Sequence, residues 1–218
     1  GYSSAASDVY KRQNGLFLDE AEIDRYNQQM GSTLGAGDIK YLNVSNMHGY
    51  GDDIVDVDDW TWIGNPTVPE IVYGFGPSIK FKKWDFSFFF QGQARVSFMM
   101  SGFEPFGTQS KNNVLKWISD DHWSKDNQNP NARYPRLTQY NNNNNTASSS
   151  YWLRNASFLK LRNAEIGYRF KWARIYVNGS NLLTFSPFKL WDPEMGGGKG
   201  MAYPTQRTFN LGVQITFK

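Results

Sequence analysis

The sequence predicts an all-β chain of antiparallel strands, and three observations support this fold class. The stretch from Thr208 to Phe217 alternates without a break between small or polar and apolar side chains, which is the period-two pattern of a strand. Aromatic residues make up 17% of the 218 residues although 20% are charged, so many rings have to lie outside a conventional apolar core. Short turns alternate with long loops, as in a series of hairpins.

The first 70 residues are expected to contribute little regular sheet. Residues 1–13 show no periodicity and are expected to be a disordered or non-native leader. Residues 14–70 are interpreted as a loop-rich segment, with one short helix predicted at Asp19–Gln29 and glycines after it that end it. The same segment contains an Asp-rich stretch, Gly51–Asp59.

Residues 71–218 are predicted to hold the main strands and the long loops. Alternation from Tyr73 to Phe81 leads through Lys82–Lys83 into a second alternating run, Trp84–Phe90, which predicts a hairpin with a tight turn. Because Pro77 lacks a backbone N–H, we expect an edge strand or a bulge at this position of the first strand.

A second hairpin is predicted after residue 150. Residues 157–170 and 173–179 both alternate, and Lys171–Trp172 joins them. The connections at the opposite strand ends are long: residues 100–151 include five consecutive asparagines, and residues 186–204 are rich in glycine and proline. Tight turns at one end and long loops at the other are typical of outer-membrane barrels.

The composition excludes several classes of protein and site. The chain contains no cysteine, which excludes a disulfide framework, a thiolate nucleophile and a cysteine zinc site. Its two histidines, His48 and His122, lie in polar segments without a serine or aspartate partner motif, so no enzymatic activity is expected. The net charge of +3 is too small and too dispersed for a nucleic-acid partner.

A lipid bilayer accounts for the alternation better than water does. In water the apolar face of a sheet needs a covering layer, and the sequence predicts neither long helices nor enough further strands to supply one. In a transmembrane barrel that face contacts lipid. About five strands after residue 70 are fewer than the roughly eight of the smallest barrels, so a partial antiparallel transmembrane β-barrel is predicted. The alternative is a soluble β-sandwich that binds glycans through exposed Trp and Tyr side chains.

Several motifs occur in the order and spacing of one known family. The matching segments are Ile63–Pro66, Tyr73–Phe75, Trp84–Gly92, Asn129–Leu137, Tyr151–Asn163, Val177–Thr184, Asp192–Glu194 and Tyr203–Pro204. Together they resemble the C-terminal part of the SusC/RagA-type, TonB-dependent outer-membrane transporters of Bacteroidetes.

This resemblance implies a specific architecture and function. The expected fold is the last part of a 22-stranded barrel with long extracellular loops, in the outer membrane of a Gram-negative bacterium. The expected activity is import of nutrients, namely oligosaccharides or, in some members, peptides. The expected partners are outer-membrane lipid, a SusD-like surface lipoprotein, and the TonB complex through an N-terminal part that these residues do not include.

The Asp-rich stretch is a candidate cation site. Asp52, Asp53, Asp56, Asp58 and Asp59 place five carboxylates in eight residues, and oxygen ligands at close range suit Ca²⁺. The resemblance implies an EF-hand-like loop in this region, although Asn43–Asn46 stands where the first acidic ligands are expected. The alternative is a solvated loop that self-repulsion keeps extended. Apart from this Ca²⁺, no cofactor is expected.

Three aromatic residues are candidate substrate contacts. Tyr151, Trp152 and Trp191 lie at predicted junctions between loops and strands, where their rings would stack on sugars. The alternative is a role in loop packing or in an aromatic girdle. Asp192 and Glu194 are two nearby carboxylates, as in a glycosidase site. Pro193 and the family motif favour a loop-anchoring role for them instead. No catalytic residue is assigned.

Overall fold

The computed structural model divides the chain into two compact units. It describes residues 9–26, 28–29, 33–44, 53–102, 113–139 and 142–217. The first of the two units, here called the sheet unit, contains Asn65–Phe98 and Asn155–Lys218. The second, here called the loop unit, contains Ala6–Gly64 and Met99–Arg154.

Strands dominate the described residues, which confirms the predicted all-β class. The strands are β1 (Val9–Lys11), β2 (Gln13–Leu16), β3 (Gln28–Gln29), β4 (Ile39–Tyr41), β5 (Ile54–Val55), β6 (Trp60–Trp62), β7 (Ile71–Phe75), β8 (Ser78–Phe81), β9 (Trp84–Ala94), β10 (Ser97–Met99), β11 (Leu153–Asn155), β12 (Phe158–Arg169), β13 (Ala173–Phe185) and β14 (Thr208–Ile215). The helices are α1 (Glu20–Asp24), α2 (Lys116–Asp120), α3 (Asn143–Thr146) and a 3₁₀ turn at Pro193–Met195. No helix among the described residues is both long and apolar enough to cross a membrane.

The sheet unit is one antiparallel sheet with the strand order β14-β13-β12-β9-β7, in which β8 also pairs with β9. β7 and β8 are two halves of one span, because Phe75 lies opposite Phe90 and Ser78 lies opposite Ser87. The interruption falls at Pro77, whose carbonyl accepts a 3.0 Å hydrogen bond from the Phe88 N–H. The irregularity that Pro77 predicts is therefore present, and the unit amounts to five spans.

Both predicted tight turns are present. Lys82 adopts a left-handed φ of 55° between β8 and β9. Between β12 and β13, the Phe170 N–H donates to the Ala173 carbonyl over 2.7 Å. These short turns lie at the same end of the sheet, because β9 pairs antiparallel with β12 and β12 with β13.

The register separates the sheet into two chemically different faces. One cross-strand row contains Phe86, Ile166, Val177 and Leu211, and the next contains Ser87, Glu165, Asn178 and Asn210. The face that carries the first row is here called the apolar face, and the other the polar face. The apolar face is exposed: Leu211 is 74% and Val177 45% accessible.

The loop unit has its own small core. Leu16, Phe17, Ile39, Tyr41 and Ile118 are fully buried. Short ladders join β2 to β4 and β1 to β6 in antiparallel fashion, and two residues of β3 pair parallel with β5.

A buried ion pair lies within this core. Fully buried Asp38 accepts from Nε and Nη2 of Arg136 over 2.6 and 2.9 Å. Asn142 and Asn145, from the asparagine run, donate to the same carboxylate over 2.9 and 2.8 Å. The carboxylate is thus compensated by one cation and two amides, as a buried charge requires.

The N-terminal segment is more structured and less helical than its sequence predicts. Val9–Lys11, inside the predicted leader, pairs with Trp60–Trp62. The helix predicted at Asp19–Gln29 is limited to α1, with Asp19 as its N-cap. Gln28 and Gln29 pair with β5 instead, so a tertiary contact overrides local helix propensity there.

Gly37 provides a test of how tightly the loop unit packs around the Trp123 ring. Its φ is +87°, and an added Cβ would lie 2.3 Å from the Trp123 ring. We expect Gly37→Ala to lower the free energy of unfolding by roughly 2–5 kcal/mol, combining left-handed strain with overpacking. Gly196 is the control, since it also has a positive φ but an added Cβ meets nothing within 4 Å; Gly196→Ala should cost only about 1–2 kcal/mol. The measurement is urea unfolding monitored by tryptophan fluorescence. Equal losses of unfolding free energy in Gly37→Ala and Gly196→Ala would contradict the tight packing around Trp123.

Candidate functional site

The polar face of the sheet carries a continuous hydrogen-bonded network. Asn210 donates to Asn178 over 2.9 Å, and Asn178 donates to Glu165 over 3.2 Å. One row above, Ser180 donates to Asn163 over 3.0 Å. These bonds join β12, β13 and β14 through side chains in addition to the backbone ladder, and they keep the polar face organised.

Arg174 is the centre of the strongest part of this network. Its Nε donates to Asp85 Oδ2 over 3.0 Å, and its Nη2 donates to Glu165 Oε1 over 2.7 Å as well as to Asp85 Oδ1. The guanidinium passes over Gly167, where an added Cβ would lie 2.5 Å from Nη2. The glycine is therefore needed for one arginine to bridge carboxylates on β9 and β12.

Aromatic rings, Phe89 among them, also lie on the polar face. Phe89 lies opposite Asn163 on this face and is 42% accessible. Its ring covers Gly74 and Gly76, where an added Cβ would come within 3.3 and 3.1 Å of it. Beside the ring is a depression of about 550 Å³, which is lined by Ser78, Ser87, Phe89, Asn163, Glu165, Asn178, Ser180 and Asn210 among others. A ring surrounded by amides, hydroxyls and a carboxylate suits a polar organic ligand.

A cluster of four charges, here called the loop latch, attaches the long loop after β13 to the sheet. Lys160 is 1% accessible and donates to Asp192 over 2.6 Å and to Glu194. Arg162 donates to Glu194 and, through Nη1, to Asn181 Oδ1 over 2.9 Å. Two cations and two carboxylates make the cluster neutral, which a buried lysine requires.

A β-bulge places these cations on one face. Leu161 pairs with Phe90 and Asn163 pairs with Phe89, so Arg162 is an extra residue in β12. Lys160 and Asn163 face the polar side in register, and the bulge turns Arg162 toward the same side, where its Nε donates to Gln91 over 3.0 Å. Bulges re-aim side chains in this way.

Asp192 is held by more than the latch. Its Oδ1 accepts from the Glu194 N–H over 3.0 Å, which caps the 3₁₀ turn, and Thr205 donates to its other oxygen. Burial tends to raise the pKa of Asp192, but the hydrogen bonds from Lys160, Thr205 and the Glu194 N–H outweigh it and lower the pKa below its usual value. The pair Asp192 and Glu194 therefore anchors the loop, as the family motif predicts.

Trp191 packs within the same loop. Its ring stacks on Phe98 at 6.2 Å and meets Phe188 edge-on at 4.6 Å. Its Nε1 donates to the Gly196 carbonyl over 3.0 Å, and an added Cβ at Gly200 would lie 2.4 Å from the ring. Protein atoms thus lie close to the ring on several sides, which favours the packing alternative over a sugar contact.

Tyr151 and Trp152 lie in the loop unit and are 9% and 5% accessible. The Tyr151 hydroxyl donates to the Ala132 carbonyl over 2.7 Å, and Trp152 Nε1 donates to the Asn145 carbonyl over 2.7 Å. Burial raises the pKa of the Tyr151 hydroxyl. Their substrate contact stays a prediction, and this arrangement suits a packing role.

Two described aspartates of the Asp-rich stretch, Asp56 and Asp59, accept hydrogen bonds from their own chain. Asp59 is buried and accepts from the backbone N–H groups of Val44 and Asp56, while Asp56 accepts from Asp58 N–H over 2.8 Å. Burial lowers the pKa of Lys11, and the nearby charges of Asp59 and Asp56 counteract this. Asp53 is exposed with a φ of 60°, and Asp52 lies outside the described residues. No group of three or more potential metal ligands occurs in the part of the chain that is described, and a Ca²⁺ site stays a prediction.

The polar-face arginine and the asparagine run are the features that sequence reasoning missed. Alternation places Asp85, Glu165 and Arg174 on one face, but nothing in it indicates which of them pair. The asparagines at 141–145 look like low-complexity loop, whereas Asn144 and Asn145 are 5% accessible and bond to the loop-unit core. Asn142 is the N-cap of α3 and accepts from the Asn144 N–H; asparagine is a favoured N-cap residue, but a run of identical residues does not indicate which one caps.

The latch gives a stability prediction with an internal control. We expect Lys160→Met to leave the two carboxylates of the latch with Arg162 as their one cation, and to lower the free energy of unfolding by about 3–5 kcal/mol, with faster proteolysis within residues 186–207. Lys116→Met removes an exposed pair with Asp120, whose side chains are 87% and 55% accessible, and should cost less than about 0.5 kcal/mol. Similar losses in both variants, or an unchanged cleavage rate in Lys160→Met, would contradict the latch.

The Asp192 contacts also predict a pH dependence. Because the folded pKa is lowered, ionised Asp192 stabilises the fold fully at pH values above its unfolded pKa, and this stabilisation is lost as the pH falls through the folded pKa. We expect the stability difference between the wild type and Asp192→Asn to be constant from neutral pH down to about pH 5, and to shrink below the ordinary value of 3.8. A difference that instead changes near neutral pH would show that Asp192 is not the ionised partner of Lys160.

Comparisons with known proteins complete the description of the site. No family model matches the chain. TonB-dependent receptor P26 of Formosa agariphila is 29% identical over 232 residues, covering 93% of this chain and 22% of the receptor. TonB-dependent receptor SusC of Bacteroides thetaiotaomicron is 35% identical over 81 residues, covering 32% of this chain and 8% of SusC.

The solved structure of the RagAB peptide transporter has a similar fold. It superimposes with a TM-score of 0.68 at 21% identity, over 97% of this chain and 22% of that chain. The RagAB peptide importer in the open-open state gives a TM-score of 0.66 at 20% identity. These names describe receptors, an importer and a transporter, in agreement with the expectation that the chain is not an enzyme. The chain spans about a fifth of the length of P26, and its resemblance to TonB-dependent receptors of the SusC/RagA type is confirmed.

Proposed function

We propose that the chain is part of a TonB-dependent transporter in the outer membrane of a Gram-negative bacterium, and that this transporter imports oligosaccharides or peptides. In this proposal the strands of the sheet unit form a section of the barrel wall. A SusD-like surface lipoprotein is the partner at the cell surface. Contact with the TonB complex is made by parts of the transporter other than these residues.

The observation that carries this proposal is the exposed apolar face of the sheet. Its accessible side chains include Ile71, Phe75, Ile79, Phe81, Trp84, Ile166, Ile175, Val177, Phe209, Leu211, Val213 and Ile215. Monomeric soluble proteins rarely expose an apolar patch of such extent, whereas lipid solvates it. The opposite face is polar and hydrogen-bonded, as the lumen side of a barrel wall is.

The dimensions and the ends of the strands suit a bilayer. β9, β12 and β13 are 11, 12 and 13 residues long, and a tilted membrane strand needs about 9–11 residues. Aromatic rings cluster at the end with the short turns: Trp84 meets Tyr168 at 4.9 Å, and Tyr168 meets Phe170 at 4.9 Å. Such rings are stable at the level of the lipid headgroups.

The names of the similar proteins support a TonB-dependent transporter, and those of the similar structures include a peptide as substrate. Three of the similar proteins are called TonB-dependent receptors or SusC, and the similar structures are called RagAB peptide transporter or importer. A transporter of oligosaccharides or peptides with a second surface subunit is consistent with both sets. The alternative of a soluble β-sandwich is disfavoured, because its apolar face would be covered by a second sheet, and here that face is accessible across the described strands.

A charge on the apolar face tests the proposal. In the complete transporter, Leu211→Arg should destabilise the barrel by about 2–4 kcal/mol if Leu211 lies near the bilayer midplane, and should deplete the protein from the outer-membrane fraction. Thr208→Arg is the matched control, since Thr208 lies three residues away on the polar face of the same strand and should assemble normally. The measurements are outer-membrane fractionation and the heat-dependent gel mobility of the folded barrel.

Two results would contradict the proposal. One is normal assembly of Leu211→Arg with full transport. The other is recovery of the unmodified complete protein as a soluble species outside the membrane fraction.

A further inference from the structure

Arg154 is a partly buried cation that lacks a carboxylate partner among the described residues. It lies in β11, at the end of the loop unit. Its Nη1 donates to the backbone carbonyl of Leu153 over 3.0 Å and to that of Tyr151. Both acceptors are neutral, so no described residue compensates the positive charge itself.

Other basic side chains that are withdrawn from water do have acidic partners in the described part of the chain. Lys40 pairs with Glu22, Arg136 with Asp38, Lys160 and Arg162 with the latch carboxylates, and Arg174 with Asp85 and Glu165. Lys11 lies near Asp59 and Asp56. Basic residues without an ion pair, such as Arg12 and Arg25, are exposed. Arg154 is neither paired nor exposed.

The donors that Arg154 leaves unused are those with which this chain binds carboxylates elsewhere. Arg136 holds Asp38 through Nε and Nη2, and Arg174 holds Asp85 through the same two atoms. In Arg154 both bonds to carbonyls use Nη1, so no described residue accepts from Nε or Nη2. These two atoms form one edge of the planar guanidinium, and that edge matches the two oxygens of a carboxylate.

Burial makes the unpaired state costly. Desolvation lowers the pKa of Arg154, and the nearest compensating influence is only the Tyr151 hydroxyl. A charge in such surroundings is stabilised strongly by an anion that binds through charge-assisted hydrogen bonds. Arg154 is only partly buried, as binding of an anion from solvent requires.

We propose that Arg154 binds a carboxylate of the imported substrate through Nε and Nη2. This inference rests on the proposed transport function and narrows its substrate class to compounds with a carboxylate. Two sources share this chemistry: a uronic acid of an oligosaccharide, and the C-terminus or an acidic side chain of a peptide.

The test compares ligands that differ only in the carboxylate, on the complete transporter purified in detergent. The sugar probes are a galacturonic acid tetramer and its methyl ester. The peptide probes are a neutral hexapeptide with a free C-terminus and the same peptide with a C-terminal amide. The variants are Arg154→Gln, Arg154→Lys, which keeps the charge without the planar fork, and the exposed control Arg12→Gln.

In one of the two ligand pairs, we expect Arg154→Gln to weaken binding of the carboxylate form by about tenfold or more. Binding of the ester or amide should be unchanged. Arg154→Lys should lie between the wild type and Arg154→Gln, and Arg12→Gln should equal the wild type. The pair that responds identifies the source of the carboxylate.

Three results would overturn the inference while leaving the transport function intact. The first is equal weakening for the carboxylate form and for the ester or amide. The second is a wild-type transporter that transports nutrients but prefers neither carboxylate form. The third is a lower melting temperature of Arg154→Gln with unchanged ligand affinity, which would show that a carboxylate of the protein itself pairs with Arg154. Failure of the transport function would be recognised separately, by absence of the wild-type protein from the outer membrane.

Discussion

The antiparallel register of β9, β12, β13 and β14 is the constraint on which the rest of the structure depends. Because side chains alternate with a period of exactly two residues, a shift of one residue would exchange the two faces of a strand. In the observed register Phe86, Ile166, Val177 and Leu211 share one row, and Ser87, Glu165, Asn178 and Asn210 share the next. The apolar face, the polar network and the placement of the loops all follow from this alignment.

Two local departures from regular geometry adapt the sheet to its polar contacts. Gly167 leaves room for Arg174 to bridge Asp85 and Glu165, so the sheet gains a network of charged side chains that crosses strands. The bulge at Arg162 turns a second cation toward the side of Lys160, and the two together hold Asp192 and Glu194. The long loop after β13 is thereby fixed to the strands through ionic contacts at its middle, while its aromatic residues Phe188 and Trp191 pack against each other and against Phe98 of β10.

The sequence predicts the strands far better than it predicts the loops. Strict alternation in Thr208–Phe217, together with the turns at Lys82–Lys83 and Lys171–Trp172, is enough to place β14 and the two hairpins that contain the other four spans. Pro77 also marks the interruption between β7 and β8. The predicted residues 157–170 cover all of β12, whereas the predicted residues 173–179 stop short of the end of β13 at Phe185. The adjacent apolar residues Leu182 and Leu183 break the period-two pattern there.

The candidate site was predicted less completely, because its contacts are long-range. Asp192 and Glu194 are predicted as loop anchors, but their partner Lys160 lies 32 residues or more away in sequence. Tyr151 and Trp152 are residue types that stack on sugars, yet their rings pack and their polar atoms form hydrogen bonds within the loop unit. Arg154 has no local pattern that distinguishes it from an exposed arginine. The structure is needed to show that Arg154 is partly buried and that no described acidic side chain pairs with it.

The central claim, that the apolar face contacts lipid while the polar face lines an aqueous lumen, is tested most directly by spin labels along β14. The chain has no cysteine of its own, so single cysteines at positions 208–215 label cleanly once any cysteines elsewhere in the complete transporter are replaced. The account predicts that labels at 209, 211, 213 and 215 are accessible to oxygen in membranes and shielded from a water-soluble nickel reagent, with the opposite behaviour at 208, 210, 212 and 214. Absence of this alternation, or shielding of the 209–215 set from both reagents, would contradict it.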